Sequence, residues 1–299
     1  MFKHITSRFS PYQIGVALAF LASTGFAAKA IFAKLAYRYG VDAVTLVTLR
    51  MILAGSALQL IRFYRAAPAE PLSRAQKWGI VGLGILGYYL SSILDFIGLE
   101  TVSASLERLI LCLYPTFTIV FGAVLLGQSI SKRVLLAMPL TYLGIALVLL
   151  PDLAHARSDW IGILFVLAST LSFALYMTLS PKLITQVGSM RFTELGLTVS
   201  SLAMLLHFVL TRPIGTLVQT PEVWAYAGLI AVFSTILPVY ATTAAMQRIG
   251  GGRTALIGSF GPVLTIIFSV SILGETLGAL QWLGAAIVLA GVWIVGKKG

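Results

Sequence analysis

Apolar residues fill ten stretches of the chain, and short connections between them carry most of the proline, glycine and charged residues. A membrane-spanning helix needs about 20 predominantly apolar residues, which is close to the length of each stretch. The pattern predicts an all-α polytopic membrane protein with ten transmembrane helices. They are expected at roughly 13–36, 43–63, 78–98, 104–126, 133–151, 159–180, 192–210, 222–245, 252–273 and 280–296.

The composition excludes a water-soluble domain. Of the 299 residues, 58% are hydrophobic and 10% are charged, and the mean hydropathy is +0.95. A soluble domain has about a quarter of its residues charged. The three histidines lack metal-ligand spacing, and no hydrolase, zinc-protease or nucleotide-binding motif occurs. We therefore expect no enzyme activity, no catalytic or metal site and no cofactor.

The net charge of +11 indicates orientation in the membrane. With the N-terminus in the cytoplasm, 14 of the 21 basic residues fall on the inner side and five, including Arg108, on the outer side; Lys29 and Arg50 lie within spans. This asymmetry predicts that both termini are cytoplasmic. The basic character thus indicates topology and not a nucleic-acid partner. We expect a multi-pass protein of a bacterial inner (plasma) membrane, with membrane lipid as a partner.

The chain also repeats itself. Residues 109–127 (LILCLYPTFTIVFGAVLLG) and 256–274 (LIGSFGPVLTIIFSVSILG) share eight of 19 positions without a gap, at an offset of 147. We expect a first five-helix repeat over 1–151 and a second over 152–299. Because five is odd, the second repeat is inverted in the membrane, an architecture typical of secondary transporters.

Charged residues inside the spans lie on stripes of small or polar residues. At 100° per residue, Lys29 shares a face with Ala22, Gly25, Ala33 and Ala36, so it is expected to point into the bundle. Buried charges are costly unless they are paired or hydrated. We expect Lys29 to lie near Asp95 or Glu107. The same periodicity marks Arg50, Tyr88, Ser92, Tyr114 and Thr118. Each charge could bind substrate or a coupling proton, or could only hold two helices together.

Two prolines occupy equivalent places in the repeats, Pro115 and Pro262. Each removes a backbone donor and permits a kink. They are candidate pivots for movement of the two halves, or bends that only shape packing.

Three segments carry a resemblance to a known family: TLRMILAG (48–55), LYPTFTIVFGAVLLGQ (113–128) and FGPVLTIIFSVSILGETL (260–277). In these segments the chain resembles the EamA-domain branch of the drug/metabolite transporter superfamily. Gln128 stands where the first half of such proteins commonly has Glu. The resemblance implies a central cavity surrounded by spans three, four, eight and nine, lined by Tyr88, Ser92, Tyr114, Thr118, Tyr240 and Thr265, with Lys29 and Arg50 at its flanks.

The sequence is compatible with three functions. By analogy with the family, the first is a secondary transporter that exports a small-molecule substrate, such as amino acids or similar zwitterions, by alternating access. The second is an exchanger of organic anions or phosphorylated metabolites, with Lys29 and Arg50 as an anion clamp. The third is a non-transporting assembly or lipid-binding protein in which every buried charge is structural.

Overall fold

The computed structural model describes residues 10–65, 71–130, 160–258, 260–276 and 278–296, together with 135, 138–140, 142–144, 146, 147 and 150. Within these residues every regular element is helical. The fifth expected span falls largely outside them, although each described residue from 135 to 150 is helical.

The first four helices are long. They are α1, Pro11–Tyr37; α2, Ala43–Arg65; α3, Arg74–Thr101; and α4, Ala104–Leu126. Ser10 and Ser73 begin α1 and α3 with reciprocal caps, in which Ser Oγ accepts from the backbone of the third helical residue and that residue's Gln side chain accepts from the serine N–H. These caps start each helix just before its apolar stretch.

Six further helices follow residue 159. They are α5, Trp160–Val187; α6, Ser189–Thr211; α7, Pro221–Ile249; α8, Gly251–Gly258; α9, Gly261–Leu273; and α10, Ala279–Gly296. Seven helices of the described chain, α1 to α7, are long and apolar enough to cross a membrane. The protein is therefore an integral, multi-pass membrane protein, while the ten spans and the cytoplasmic termini stay predictions.

Helix α5 continues past the end of its expected span because its proline is accommodated by a neighbouring helix. Pro181 lies inside α5 and has no N–H to donate to Met177 O, four residues earlier. A Cβ added at Gly251 would lie 2.0 Å from that carbonyl oxygen, so only glycine lets the start of α8 approach it. The carbonyl that lacks its helical donor therefore lies against the start of α8.

Irregular turns recur at the repeat offset. One turn of α3, Ile85–Leu90, and one of α7, Val232–Ile236, have π-helical hydrogen bonding, and they begin 147 residues apart. Gly127 and Gly274 both end their helices with positive φ, 64° and 70°. This left-handed conformation favours glycine, and it accounts for the glycine shared by the two sequence repeats.

The packing of the helices follows the same relation. Helix α1 packs along α7, and α3 packs along α5. Exchanging the two halves turns the first pair into the second, maps the contacts of α2 with α6 onto themselves, and maps the contacts of α4 with α9 onto those of α4 with α8. The contact pattern is therefore the one expected for two related halves. The repeat boundaries and the inverted insertion in the membrane stay predictions.

Small residues allow the closest approach between the halves. A Cβ added at Gly25 of α1 would lie 2.3 Å from Pro238 Cγ and 2.5 Å from Phe233 O of α7. In the other pair, Ser172 of α5 donates a hydrogen bond of 2.7 Å to Leu86 O in the π turn of α3. Each π turn is thus contacted closely by a helix of the other half.

Glu275 links the second half to the start of α4. Its carboxylate accepts hydrogen bonds from the Ala104 N–H, at 3.2 Å, and from Ser105 Oγ, at 2.5 Å. A carboxylate at a helix N-terminus satisfies free donors and favours the helix dipole. Gln128, which occupies the equivalent position in the first half, is exposed. The difference in residue type therefore corresponds to a difference in environment.

Candidate functional site

A cavity lies between the two halves, with walls formed by helices α1 to α8. The space open to the centre of a water molecule is about 130 Å³, whereas one water needs about 10–15 Å³ by the same measure. Its walls are mostly apolar, with charged groups contributed by α1 to α4. The charged and aromatic lining residues are Lys29, Arg50, Asp95, Arg108, Phe26, Tyr88, Tyr114, Phe173 and Tyr176.

Lys29 lies between two buried carboxylates. Its Nζ forms an ion pair and hydrogen bond with Asp95 Oδ2 and lies 3.1 Å from Glu107 Oε1. The side chains of Asp95 and Glu107 are 3% and 0% exposed. The contact with Glu107 lacks hydrogen-bond geometry, and both of its carboxylate oxygens have no hydrogen-bond partner among the described residues. One ammonium group thus serves two carboxylates, and the expected pairing of Lys29 is present with both acids.

Two arginines lie on the same cavity without a carboxylate partner among the described residues. Arg50 donates from Nη2 to Ser92 Oγ at 2.6 Å, and its guanidinium carbon lies 4.9 Å from the centre of the Phe96 ring. Arg108 lies against Gly261, where an added Cβ would come within 2.6 Å of Nη2. The Nε atoms of both arginines are buried and have no hydrogen-bond partner in the part of the chain that the structure describes. The cavity wall therefore carries two guanidinium groups whose charge is not paired within that part.

Aromatic rings form a continuous wall contributed by α1, α3, α4 and α5. Phe173 packs edge-on against Phe26 and Tyr114, with centroids 6.5 and 5.4 Å apart, and stacks on Tyr176 at 5.7 Å. The Tyr176 hydroxyl lies 2.6 Å from the hydroxyl of Tyr88. This wall offers ring faces to a flat apolar group and few polar atoms.

Both π turns reach the cavity. Gly87 and Tyr88 line it from α3, and Ser234 and Thr235 line it from the equivalent turn of α7. The hydroxyls of Ser234 and Thr235 are buried and have no partner among the described residues. π turns are frequent at functional sites, and here they present side chains from both halves to one space.

The structure gathers part of the expected site. Six of the expected residues line the cavity, namely Lys29, Arg50, Tyr88, Ser92, Asp95 and Tyr114. Four lie outside its lining. Glu107 is behind Lys29, Thr118 donates to Tyr114 O, Tyr240 donates to Glu194 Oε1, and Thr265 donates to Ala27 O. Pro115 and Pro262 each lie in the first turn of a helix that follows an irregular segment, and their role as pivots stays a prediction.

Arg108 was not among the expected site residues. It was counted with the residues of the outer side, and it lies within α4, is only 8% exposed and lines the cavity. The hydrophobic pattern alone gave it the position of a residue at the end of a span. Phe173 and Tyr176 were also missed, because α5 is apolar on all sides and its periodicity does not identify the face that meets the cavity.

Comparison with known proteins agrees with this architecture. The model of the EamA-like transporter family matches twice, at residues 13–150 and 160–297. A Bacillus subtilis (strain 168) protein named "Uncharacterized transporter YcbK" is 32% identical over 278 residues, covering 90% of this chain and 88% of that protein. An Escherichia coli (strain K12) protein named "Probable amino-acid metabolite efflux pump" is 22% identical over 265 residues, covering 82% of this chain and 84% of that one.

A solved structure shows the same fold. A protein crystal structure superposes with a TM-score of 0.74 at 16% identity, covering 94% of this chain and 96% of its own. At this identity the likeness concerns the fold alone. With the two family matches and the Bacillus subtilis relative, it completes the identification made from the helices, the repeat and the cavity: the chain belongs to the EamA-like transporter family.

Proposed function

We propose that the protein is a secondary transporter that moves small metabolites outward across a bacterial inner membrane, and that amino acids or similar zwitterions are its substrates. The observation that carries the proposal is the cavity between two related halves, which combines charged groups of both signs with an aromatic wall. Substrate sites of secondary transporters lie between such halves. The E. coli relative, named for efflux of amino-acid metabolites, supports the substrate class.

Alternating access would be a rocking of the two halves about the cavity. The interfaces of α1 with α7 and of α3 with α5 are built from glycine, serine and backbone contacts. Small residues at helix interfaces permit close sliding contacts. Pro115 and Pro262, each at the start of a helix beside an irregular segment, suit the pivots.

A coupling proton is proposed at the cluster formed by Lys29, Asp95 and Glu107. With all three ionised, the cluster carries one net negative charge in a buried site, and binding one proton cancels it. Like charges in a shared buried site favour such uptake. Replacing Glu107 by Gln removes one acceptor, so flux through E107Q should lose its response to an imposed pH gradient. If flux through the wild-type protein does not respond to the gradient, the protein does not couple transport to protons.

The second candidate is an exchanger of organic anions or phosphorylated metabolites. The guanidinium groups of Arg50 and Arg108 favour it, because both line the cavity without a carboxylate partner among the described residues and could donate to an anion. The non-transporting interpretation is disfavoured, because it requires a dry interior in which every buried charge is paired.

Counterflow in proteoliposomes tests the function. The purified protein is reconstituted beside empty liposomes, and uptake of a labelled amino-acid mixture is compared with that of a labelled mixture of sugar phosphates and nucleotides. Accumulation of amino acids alone supports the first proposal, and accumulation of phosphates alone replaces it with the second. No accumulation of either mixture, from protein shown to be folded by thermal unfolding, counts against both.

A further inference from the structure

We infer that the cavity selects its substrate by a carboxylate held between Arg50 and Arg108 beside an aromatic body, and that the substrate needs no ammonium group. The inference rests on the proposed transport function and redefines its substrate class, from zwitterions in general to aromatic carboxylic acids with or without an amino group.

The charges around the cavity are unevenly satisfied. Three cations line it, Lys29, Arg50 and Arg108, against one acid, Asp95. Asp95 and the adjacent Glu107 both contact Lys29. A substrate ammonium would have to compete with Lys29 for these carboxylates. No acid in the described lining is left over to receive it.

The guanidinium groups of Arg50 and Arg108, in contrast to Lys29, have no acidic partner among the described residues. Arg50 is 3% exposed and Arg108 is 8% exposed, and neither forms an ion pair with a described residue. A buried cation without a partner is costly, so an anion that enters the cavity relieves a penalty already present. A carboxylate is the natural ligand, because its two oxygens match the paired donors of a guanidinium group.

The position of Arg50 is held from behind. Its Nη2 donates to Ser92 Oγ, and its guanidinium carbon lies 4.9 Å from the centre of the Phe96 ring. Gly261 leaves the space into which Nη2 of Arg108 extends. A donor that is held in place before the ligand arrives loses little entropy on binding. Arg50 is therefore prepared to accept an anionic group, and Arg108 adds a second guanidinium group to the same cavity.

The aromatic wall defines the rest of the substrate. Phe26, Tyr114, Phe173 and Tyr176 line the same cavity as the arginines, and their ring contacts fix them in one surface. An aromatic ring of the substrate can pack offset or edge-on against these faces. The chemistry on this wall favours a ring over a hydrated sugar or a phosphate chain.

Three probes with the same ring test the inference: L-phenylalanine, 3-phenylpropionate, which lacks the ammonium, and phenethylamine, which lacks the carboxylate. Binding to the full-length protein in nanodiscs is measured by calorimetry, and each probe is used to compete with labelled phenylalanine in counterflow. We expect the two acids to bind within about 10-fold of each other, and the amine to bind at least about 100-fold more weakly, because a site built for a polar group rejects an analogue that lacks it.

Variants test the assignment to the arginines. R50Q and R108Q should each weaken both acids by at least about 10-fold. R50K and R108K retain the charge but not the forked donors, and they provide a second measurement if the Gln variants fail to fold. Arg74, exposed at the start of α3, gives a matched control, and R74Q should bind the acids as the wild-type protein does.

The outcomes separate the two levels of the proposal. Equal or tighter binding of the amine, or unchanged binding of the acids by all four arginine variants, overturns the carboxylate inference and leaves the transport function standing. Counterflow of the amino-acid mixture without binding of any of the three probes likewise overturns the carboxylate inference and leaves the transport function standing. Absence of both binding and amino-acid counterflow overturns the proposed function together with the inference.

Discussion

Replacing Lys29 by Met should be among the most destabilising single changes in this protein. The substitution keeps a long apolar side chain but removes the ammonium group that faces two buried carboxylates. Asp95 and Glu107 are 3% and 0% exposed, and Asp95 Oδ1 and both Glu107 oxygens have no hydrogen-bond partner to replace the lost contact. Breaking a buried ion pair from one side costs about 3–5 kcal/mol.

Thermal unfolding measures this loss. At roughly 2 °C per kcal/mol for a large domain, K29M should unfold about 6–10 °C below the wild-type protein. The matched control is K182M at an exposed lysine of α5, which should stay within about 0.5 kcal/mol. The variant K29M/D95L/E107M removes the stranded charges as well. It should recover most of the loss, since well-packed hydrophobic groups of similar volume often replace a buried ion pair without cost.

Two results would refute the reasoning about the cluster. If K29M unfolds at the same temperature as K182M, the carboxylates do not depend on the ammonium. If the triple variant is no more stable than K29M alone, the loss comes from packing of the lysine stem and not from unpaired charge.

Three further changes have definite expected results. G25A, whose Cβ would lie 2.3 Å from a proline ring of α7, should lower stability by about 1–3 kcal/mol, whereas G82A meets nothing within 4 Å and should cost nothing in the same unfolding assay. Burial of Asp42, outside the spans, opposes its ionisation, but hydrogen bonds from Thr45 and the charge of Arg212 outweigh it and hold the Asp42 pKa below its ordinary value. The contribution of Asp42 to the free energy of unfolding should be under about 1 kcal/mol, because the pair with Arg212 is partly exposed. It should be complete above an unfolded-state pKa of about 3.9 and disappear as the pH falls through the lower folded-state pKa. D42N should flatten that part of the plot of stability against pH. E275A should cost about 1–2 kcal/mol by leaving the Ala104 N–H and the Ser105 hydroxyl without their carboxylate acceptor at the start of α4, and equal stability with the wild-type protein would exclude this contribution.

The sequence predicts the charged part of the site well. Helical periodicity places Lys29 on an inward stripe, and the cost of a buried ammonium requires an acid nearby; the structure supplies both Asp95 and Glu107. These inferences need only the regular rotation of an α-helix and the energetic cost of an unpaired buried charge. They succeed because α1 is continuous between Pro11 and Tyr37.

Where a helix is interrupted, the same reasoning fails. The periodicity that marked both Tyr114 and Thr118 assumes one unbroken helix, but α4 turns at Cys112 and Leu113. Tyr114 lines the cavity, whereas the Thr118 hydroxyl donates to Tyr114 O within its own helix and Thr118 lies outside the lining. Arg108, close to this interruption, enters the cavity although its position along the span suggested the outer side.

The π turn of α3 also determines which way the second half of that helix points. A π turn holds one residue more than the α-helical turn it replaces, and each residue of a helix accounts for about 100° of rotation. Deleting one residue between 85 and 90 would restore a regular helix and swing Ser92, Asp95 and Phe96 about a third of a circle away from α1 and α2. A single deletion that removes none of these residues would take Asp95 away from Lys29, and Ser92 and the Phe96 ring away from Arg50. The extra residue of the π turn therefore sets the direction in which Ser92, Asp95 and Phe96 point. The equivalent turn of α7 sets the direction of the second half of that helix in the same way.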